Sequence, residues 1–143
     1  MNGGLIKLDI GCGCFKKQGF IGLDRRFDTD ADIFGSALAL PIRSGSVSEV
    51  SGSNLIEHFY GRDAQVVFNE VYRVLEPGGV ARFKVGYDFS KARLLRADSE
   101  HKERFSERDL YSMVSKFSFG RVKTKLYNFG LHFRIKTMVE LMK

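Results

Sequence analysis

The stretch Leu8-Asp-Ile-Gly-Cys-Gly-Cys-Phe-Lys-Lys-Gln-Gly-Phe-Ile-Gly-Leu-Asp24 constrains the fold more than any other. Leu5 to Ile10 reads as a short strand that stops at Gly11-Cys12-Gly13. Phe20 to Asp24 reads as a second strand ending in a carboxylate. Glycines in such a turn let the backbone approach a ligand where a side chain would collide. A carboxylate at the tip of the next strand accepts hydrogen bonds from a ribose. A nicotinamide site would carry a third glycine, a helix opening on the turn and an acid about 20 residues further on. Here Cys14 to Gly19 leaves no room for an ordinary crossover helix, and with it no clear helix N-terminus for a pyrophosphate. The spacing therefore favours a cofactor that has a ribose but no phosphate.

Further elements follow in alternation. Ala31 to Phe34 is a very short third strand, and Pro41 opens a turn through Ser44-Gly45-Ser46. Val47 to Ser51 is a fourth strand. Asp63 is the expected cap of a helix whose inner face carries Val67, Val71 and Val74, with Phe68 and Leu75 beside it. Glu76-Pro77-Gly78-Gly79 breaks that helix, and Val80 to Val85 is a fifth strand. Asp88 to Ala97 has helical spacing, and Ser106 is placed to cap a helix through Val114. Phe119 to Leu126 and Leu131 to Leu141, joined at Asn128-Phe129-Gly130, read as two closing antiparallel strands. The pattern predicts an α/β fold, a Rossmann-like, mainly parallel sheet with an antiparallel C-terminal strand pair and truncated first crossover helices. At 143 residues it fits a single domain, 1–143.

The motifs, taken in order, resemble the class I S-adenosylmethionine-dependent methyltransferases of the small type-11-like kind. Leu8 to Gly13 resembles their first motif and Ile21 to Asp24 their second. Ala37 to Phe59, Glu70 to Val85 and His101 to Leu110 resemble the later ones. The resemblance implies S-adenosylmethionine as cofactor, with Asp24 on its ribose and Gly11, Cys12 and Gly13 beneath it. It also implies Asp9 near the methionine part, Ser36 at the adenine, Arg25 and Ala37 among the cofactor-binding residues, and Asn54 where the family lines cofactor and substrate. Three positions depart from the family pattern. Cys14 stands where many members have a third glycine, Ser36 where an aspartate often meets the adenine amino group, and Ser48 where another aspartate is usual. Glu57-His58 matches a pair that organises the pocket more often than it reacts, so no catalytic residue is assigned. His101 is read as a hinge or surface histidine.

The implied reaction is methyl transfer to an unidentified acceptor. A sulfonium is already a strong electrophile, so the protein chiefly has to align the nucleophile. Two other functions fit the same residues, a non-catalytic cofactor-binding or adaptor subunit and a basic nucleic-acid-binding module on a degenerate methyltransferase fold. Cys12 and Cys14 supply two thiols without a second pair, whereas structural zinc takes four ligands, so no metal is expected. Two close cysteines, no signal-like N-terminus and no apolar run of membrane length fit a reducing, cytoplasmic setting, with no membrane.

Charge is distributed unevenly. Residues 1–80 hold 8 Lys/Arg and 10 Asp/Glu, whereas residues 81–143 hold 15 and 7, net charges of −2 and +8. In several strands the cations alternate with apolar residues: Lys7 with Ile6 and Leu8, Arg82 and Lys84 with Ala81, Phe83 and Val85. Arg121, Lys123 and Lys125 do the same in the sixth strand, and His132, Arg134 and Lys136 in the seventh. Period-two alternation gives one buried and one wet face. The expectation is a bare, basic sheet face that meets solvent, a second copy in a homodimer, or an acidic partner such as RNA.

Overall fold

The computed structural model describes residues 5–88, 105–117, 119–129 and 132–143, with backbone alone for 87, 88, 119–129 and 132–137. The strands are β1 (Ile6–Ile10), β2 (Ile21–Asp24), β3 (Ile33–Phe34), β4 (Val47–Ser53), β5 (Leu75–Asp88), β6 (Phe119–Phe129) and β7 (His132–Met142). They form a seven-stranded sheet in the order β3-β2-β1-β4-β5-β7-β6. Strands β1 to β5 pair in parallel, and β7 runs antiparallel to both β5 and β6. The expected mixed α/β sheet and its antiparallel closing pair are thus present. The order reverses between β1 and β4. In open α/β sheets the crevice at the carboxyl ends of such a pair is where ligands bind.

Helices α1 (Gly61–Val74) and α2 (Glu107–Val114) cover one face. On α1 the buried residues are Ala64, Val67, Phe68, Val71 and Val74, recurring every three or four positions as an amphipathic helix requires. They meet Leu8, Ile10, Val50, Ala81 and Phe83 of the sheet in one apolar cluster, where the Phe68 and Phe83 rings stand edge to face, 5.3 Å between centroids. Leu110 and Val114 of α2 extend the cluster towards Val139 and Leu141 of β7. Ser106 caps α2 as expected: its hydroxyl accepts the Asp109 N–H, and the Asp109 carboxylate accepts the Ser106 N–H at 2.9 Å.

The cap of α1 differs from the expectation. Tyr60 occupies that position with no side-chain cap, and Asp63 lies in the first turn, where a carboxylate still favours the positive end of the helix. Strand bounds differ by a few residues. The largest change is β5, which begins at Leu75 and runs through the Pro77-Gly78 breakers, its register against β4 shifting between Val47 and Glu49. The helix expected over 88–97 starts on Asp88, a β5 residue; 89–97 and His101 lie outside the described residues.

No α-helix occurs between residues 5 and 60, as the short spacings required. Other contacts hold these connections. Glu70 and Arg73 of α1 reach the segment before β4: the Glu70 carboxylate accepts the Leu40 N–H at 2.7 Å, and the Arg73 guanidinium donates to the Ile42 and Leu40 carbonyls at 2.9 and 3.0 Å. The two side chains pair with each other at 2.7 Å, and the guanidinium holds the Glu70 carboxyl below its ordinary pKa. On the other face, the segment after β1 folds back over β1 and β2. The Lys17 N–H donates to the Asp9 carboxylate at 2.8 Å, and the Lys7 and Lys17 ammonium groups lie 5.7 and 4.1 Å from the centre of the Phe20 ring. The helix-free face is therefore covered at this edge and not bare throughout, contrary to the simplest reading of the alternation.

Candidate functional site

Gly11 and Gly13 both have positive φ, +65° and +55°, a region that costs a residue with Cβ about 1–2 kcal/mol. Gly11 is also closely covered: a Cβ there would stand 2.6 Å from Leu55 Cδ1. Gly13 is open, its nearest neighbour for such an atom being Arg26 Nη2 at 3.7 Å. The two glycines thus turn the chain over the end of β1 and leave backbone, not side chain, facing the crevice.

Backbone bonds fasten this turn to β2 and to the loop that follows it. The Leu23 carbonyl accepts the Gly11 N–H at 2.7 Å, and the Gly13 carbonyl accepts the Asp30 N–H at 2.9 Å. Asp24, 7% exposed, completes the fastening through its side chain. One carboxylate oxygen accepts the Gly13 N–H at 2.9 Å and the other the Arg26 N–H at 3.0 Å. An ionised carboxylate has about four acceptor positions, so two remain after these bonds. The Arg26 guanidinium stands 3.7 Å from the second oxygen, on a half-exposed side chain. The Asp24 carbonyl accepts the Gly35 N–H at 2.9 Å, which brings Ser36 and Ala37 to the same end of the sheet. Ala37 is buried, and the Ser36 hydroxyl accepts the Leu38 N–H at 3.2 Å.

Asp9, 5% exposed, lies under the returning segment. Burial raises its carboxyl above the ordinary value, a shift that the Lys17 N–H partly offsets. Cys12 is buried against Gly22, and burial, then the Asp24 and Asp9 carboxylates, push its thiol up to about 11. It is a packing thiol, not a nucleophile. Cys14 is exposed, its sulfur 3.5 Å from the Asp28 carbonyl.

Asn54 follows β4 with φ +51°, the one non-glycine residue at positive φ among the described residues. Asparagine tolerates this region better than most, and such outliers gather at functional sites. Its N–H donates to the Lys84 carbonyl at 2.9 Å, and its side chain lies against Gly86 together with that of Glu57. The N-cap of the short helix at Ile56–His58 is Leu55, not Asn54. The buried Glu57 carboxylate accepts the Gly86 N–H at 3.2 Å, a bond that ties this helix to β5. Ser48 is structural, donating to the Ile6 carbonyl at 3.0 Å.

The structure thus gathers Asp9, Gly11, Cys12, Gly13, Asp24, Ser36, Ala37 and Asn54 at the carboxyl end of the sheet. Arg25 is exposed, and its neighbour Arg26 is the one that meets Asp24. Sequence reasoning passed over Arg26 and Leu55. Adjacent arginines are indistinguishable by pattern, and no local signal marks the leucine that covers Gly11. Among the described residues no group of three or more His, Cys, Asp or Glu could hold a metal, and no helix is long and apolar enough to cross a membrane.

Sheet order, switch point and glycine turn together define the fold of the class I S-adenosylmethionine-dependent methyltransferases. Residues 18–83 match the family model described as a methyltransferase domain. An S-adenosylmethionine-dependent methyltransferase from Archaeoglobus fulgidus superposes with a TM-score of 0.78 at 15% identity, over 99% of this chain and 87% of that one. A phosphoethanolamine N-methyltransferase 2 from Haemonchus contortus, solved with phosphomonomethylethanolamine and S-adenosylhomocysteine, superposes at 0.74 and 14% identity over 100% of this chain, which spans 49% of its length. An arsenic(III) S-adenosylmethionine methyltransferase from Chlamydomonas reinhardtii gives 0.71 and 18%, with coverages of 97% and 64%. No curated protein sequence matches the chain. The fold expected from the sequence is borne out, and the match to the methyltransferase domain model over residues 18–83 agrees with the resemblance. Acceptors as unlike as these show that the fold does not choose one.

Proposed function

We propose that the chain binds S-adenosylmethionine at this crevice and transfers its methyl group to an acceptor. The observation that carries the reading is Asp24: a buried carboxylate at the tip of β2, fixed by one backbone N–H on each oxygen, with acceptor capacity left for two hydroxyls. The residues fit the cofactor in kind. Asp24 takes the ribose, the Gly11–Gly13 backbone passes beneath it, and Ser36 and Ala37 flank the adenine. Asp9 faces the methionine end, where a cationic ligand offsets the cost of burying its charge. Asn54 and Gly86 line the side from which an acceptor approaches.

When bound, the cofactor supplies an electrophilic methyl on a sulfonium. The protein's part is then to orient and to exclude water, and a proton acceptor is needed only for an acceptor that must lose a proton. Glu57, bonded to the Gly86 N–H, holds the β5 backbone at the crevice and acts as a positioning group in this scheme. Titration calorimetry with S-adenosylmethionine and S-adenosylhomocysteine tests the cofactor, and a labelled-methyl screen over RNA, protein and small-molecule pools tests the transfer. Saturable one-to-one binding with label entering one pool is expected. Absence of binding refutes the site, and binding without any transfer assigns the chain the role of a cofactor-binding adaptor.

A further inference from the structure

Strands β5, β7 and β6 pair without a register shift, and this decides on which face each residue falls. In-register partners share a face. One row across the three strands is Arg82, Glu140 and Arg121; the next is Lys84, Met138 and Lys123. Then come Gly86, Lys136 and Lys125, followed by Asp88, Arg134 and Tyr127, with His132 and Phe129 closing the series. Seven of these residues are Lys or Arg and two are Asp or Glu, a net of +5. Over the paired lengths 80–88, 119–129 and 132–142, the opposite face, which carries Phe83, Val85, Val139 and Leu141 into the core, has no charged residue. Segregation is complete, so the cations are not the scattered charge of an ordinary surface.

Helices α1 and α2 lie on the apolar face and, among the described residues, neither crosses the cationic one; the short helix at Ile56–His58 meets it at Gly86, where the Asn54 and Glu57 side chains lie. Arg82 and Lys84 are exposed. Towards the middle of the sheet, three more cation contacts converge on one carboxylate: Lys7, Lys17 and Arg82 reach Glu49 at 3.1, 3.6 and 3.3 Å. Positive charge is thus in excess even where acids are present.

We infer that this face of β5, β7 and β6 is a docking surface for single-stranded RNA. A second copy stacked face to face would set +5 against +5. A polyanion releases its counterions on such a surface. Residues two apart in a strand are about 6.7 Å apart and adjacent strands about 4.8 Å, which spreads the seven cationic positions across three strands, wider than a site for one small anion. Tyr127 and Phe129 occupy register positions of the same face at one end of the array, and aromatic positions beside cations on a sheet face are the arrangement on which unpaired bases stack. Unpaired strands are an ordinary form of RNA. The inference concerns docking and stands whether or not RNA accepts the methyl group.

The test is fluorescence anisotropy with a labelled, unstructured 12-nucleotide RNA and the full chain. With about four phosphates neutralised, affinity should fall about fifty-fold between 50 and 200 mM salt. Lys123→Glu with Arg134→Glu should weaken binding at least tenfold while S-adenosylhomocysteine binding stays unchanged. The milder Lys123→Gln with Arg134→Gln serves should the reversal not fold, and should lose at least threefold. Arg62→Glu with Lys116→Glu makes the same charge change on exposed helical-side positions, and should cost less than the Gln pair. No binding, salt-insensitive binding, or equal loss in the helical-side variant overturns the inference. Equal affinity for poly-glutamate, or a dimer in sedimentation that the Lys123 and Arg134 reversals dissolve, overturns it in favour of an acidic protein or a second copy.

Discussion

Asp24→Asn is the sharpest perturbation of the site. The substitution keeps the volume and one acceptor oxygen but replaces the other with an amide NH2. Since both carboxylate oxygens accept backbone N–H groups, at 2.9 Å from Gly13 and 3.0 Å from Arg26, that NH2 must face a donor whichever way it turns. Charge-assisted hydrogen bonds contribute about 1.5–3 kcal/mol each. Loss of one such bond to a ribose hydroxyl weakens cofactor binding about tenfold to about a hundredfold. The same change loosens the Gly13 turn, so affinity alone does not separate direct contact from bracing. A second ligand does. S-adenosylhomocysteine and an analogue lacking the ribose 2′ and 3′ hydroxyls, each titrated into native protein and variant, form a cycle whose interaction energy reports the direct contact. Removing the hydroxyls should cost the native protein much more than the variant. A variant that unfolds at the native temperature yet binds both ligands with equal weakening, or with no weakening, refutes the assignment of Asp24 to the ribose.

Gly11→Ala and Gly45→Ala share a positive φ, +65° and +67°, but only Gly11 is covered, with Leu55 Cδ1 2.6 Å from the added carbon, whereas nothing lies within 4 Å at Gly45. Urea unfolding should show a loss of about 1–2 kcal/mol for Gly45→Ala and more for Gly11→Ala, with weaker cofactor binding at Gly11 alone; equal losses with affinity intact at both would contradict the role of the turn. Asp9 has a pKa raised above its ordinary 3.8, chiefly by burial, so the protonated form is favoured by folding. The stability it contributes is fully present below 3.8 and is lost as pH rises through the raised folded value. Asp9→Asn should flatten that decline in thermal melts without ligand and weaken S-adenosylmethionine at pH 7; an unchanged melting profile would show that burial does not govern this carboxyl.

Local chemistry determined much of this molecule. The glycines at 11 and 13 were legible because a tight turn demands that residue type at a fixed place in the chain, and the acid at 24 because it ends a strand. The missing crossover helices were legible as arithmetic, since the residues between β1 and β2 cannot hold several helical turns, and the Ser106 cap was legible because capping acts across three residues. Period-two alternation revealed that cations and core residues take opposite sides of each strand. What alternation within a strand does not contain is the phase between strands. Only the paired registers put Arg82, Lys84, Lys123, Lys136 and Arg134 on one face, because a slip of one residue in β7 would have sent its cations into the core. The same holds for the site. Leu55 over Gly11, Arg26 beside Asp24, and the Arg73–Glu70 pair that fastens Leu40 and Ile42 join residues distant in sequence or indistinguishable from their neighbours by type. Burial of Asp9, and with it the rise in its pKa, likewise arises from the segment that folds back over β1, a consequence of packing that no spacing in the chain expresses.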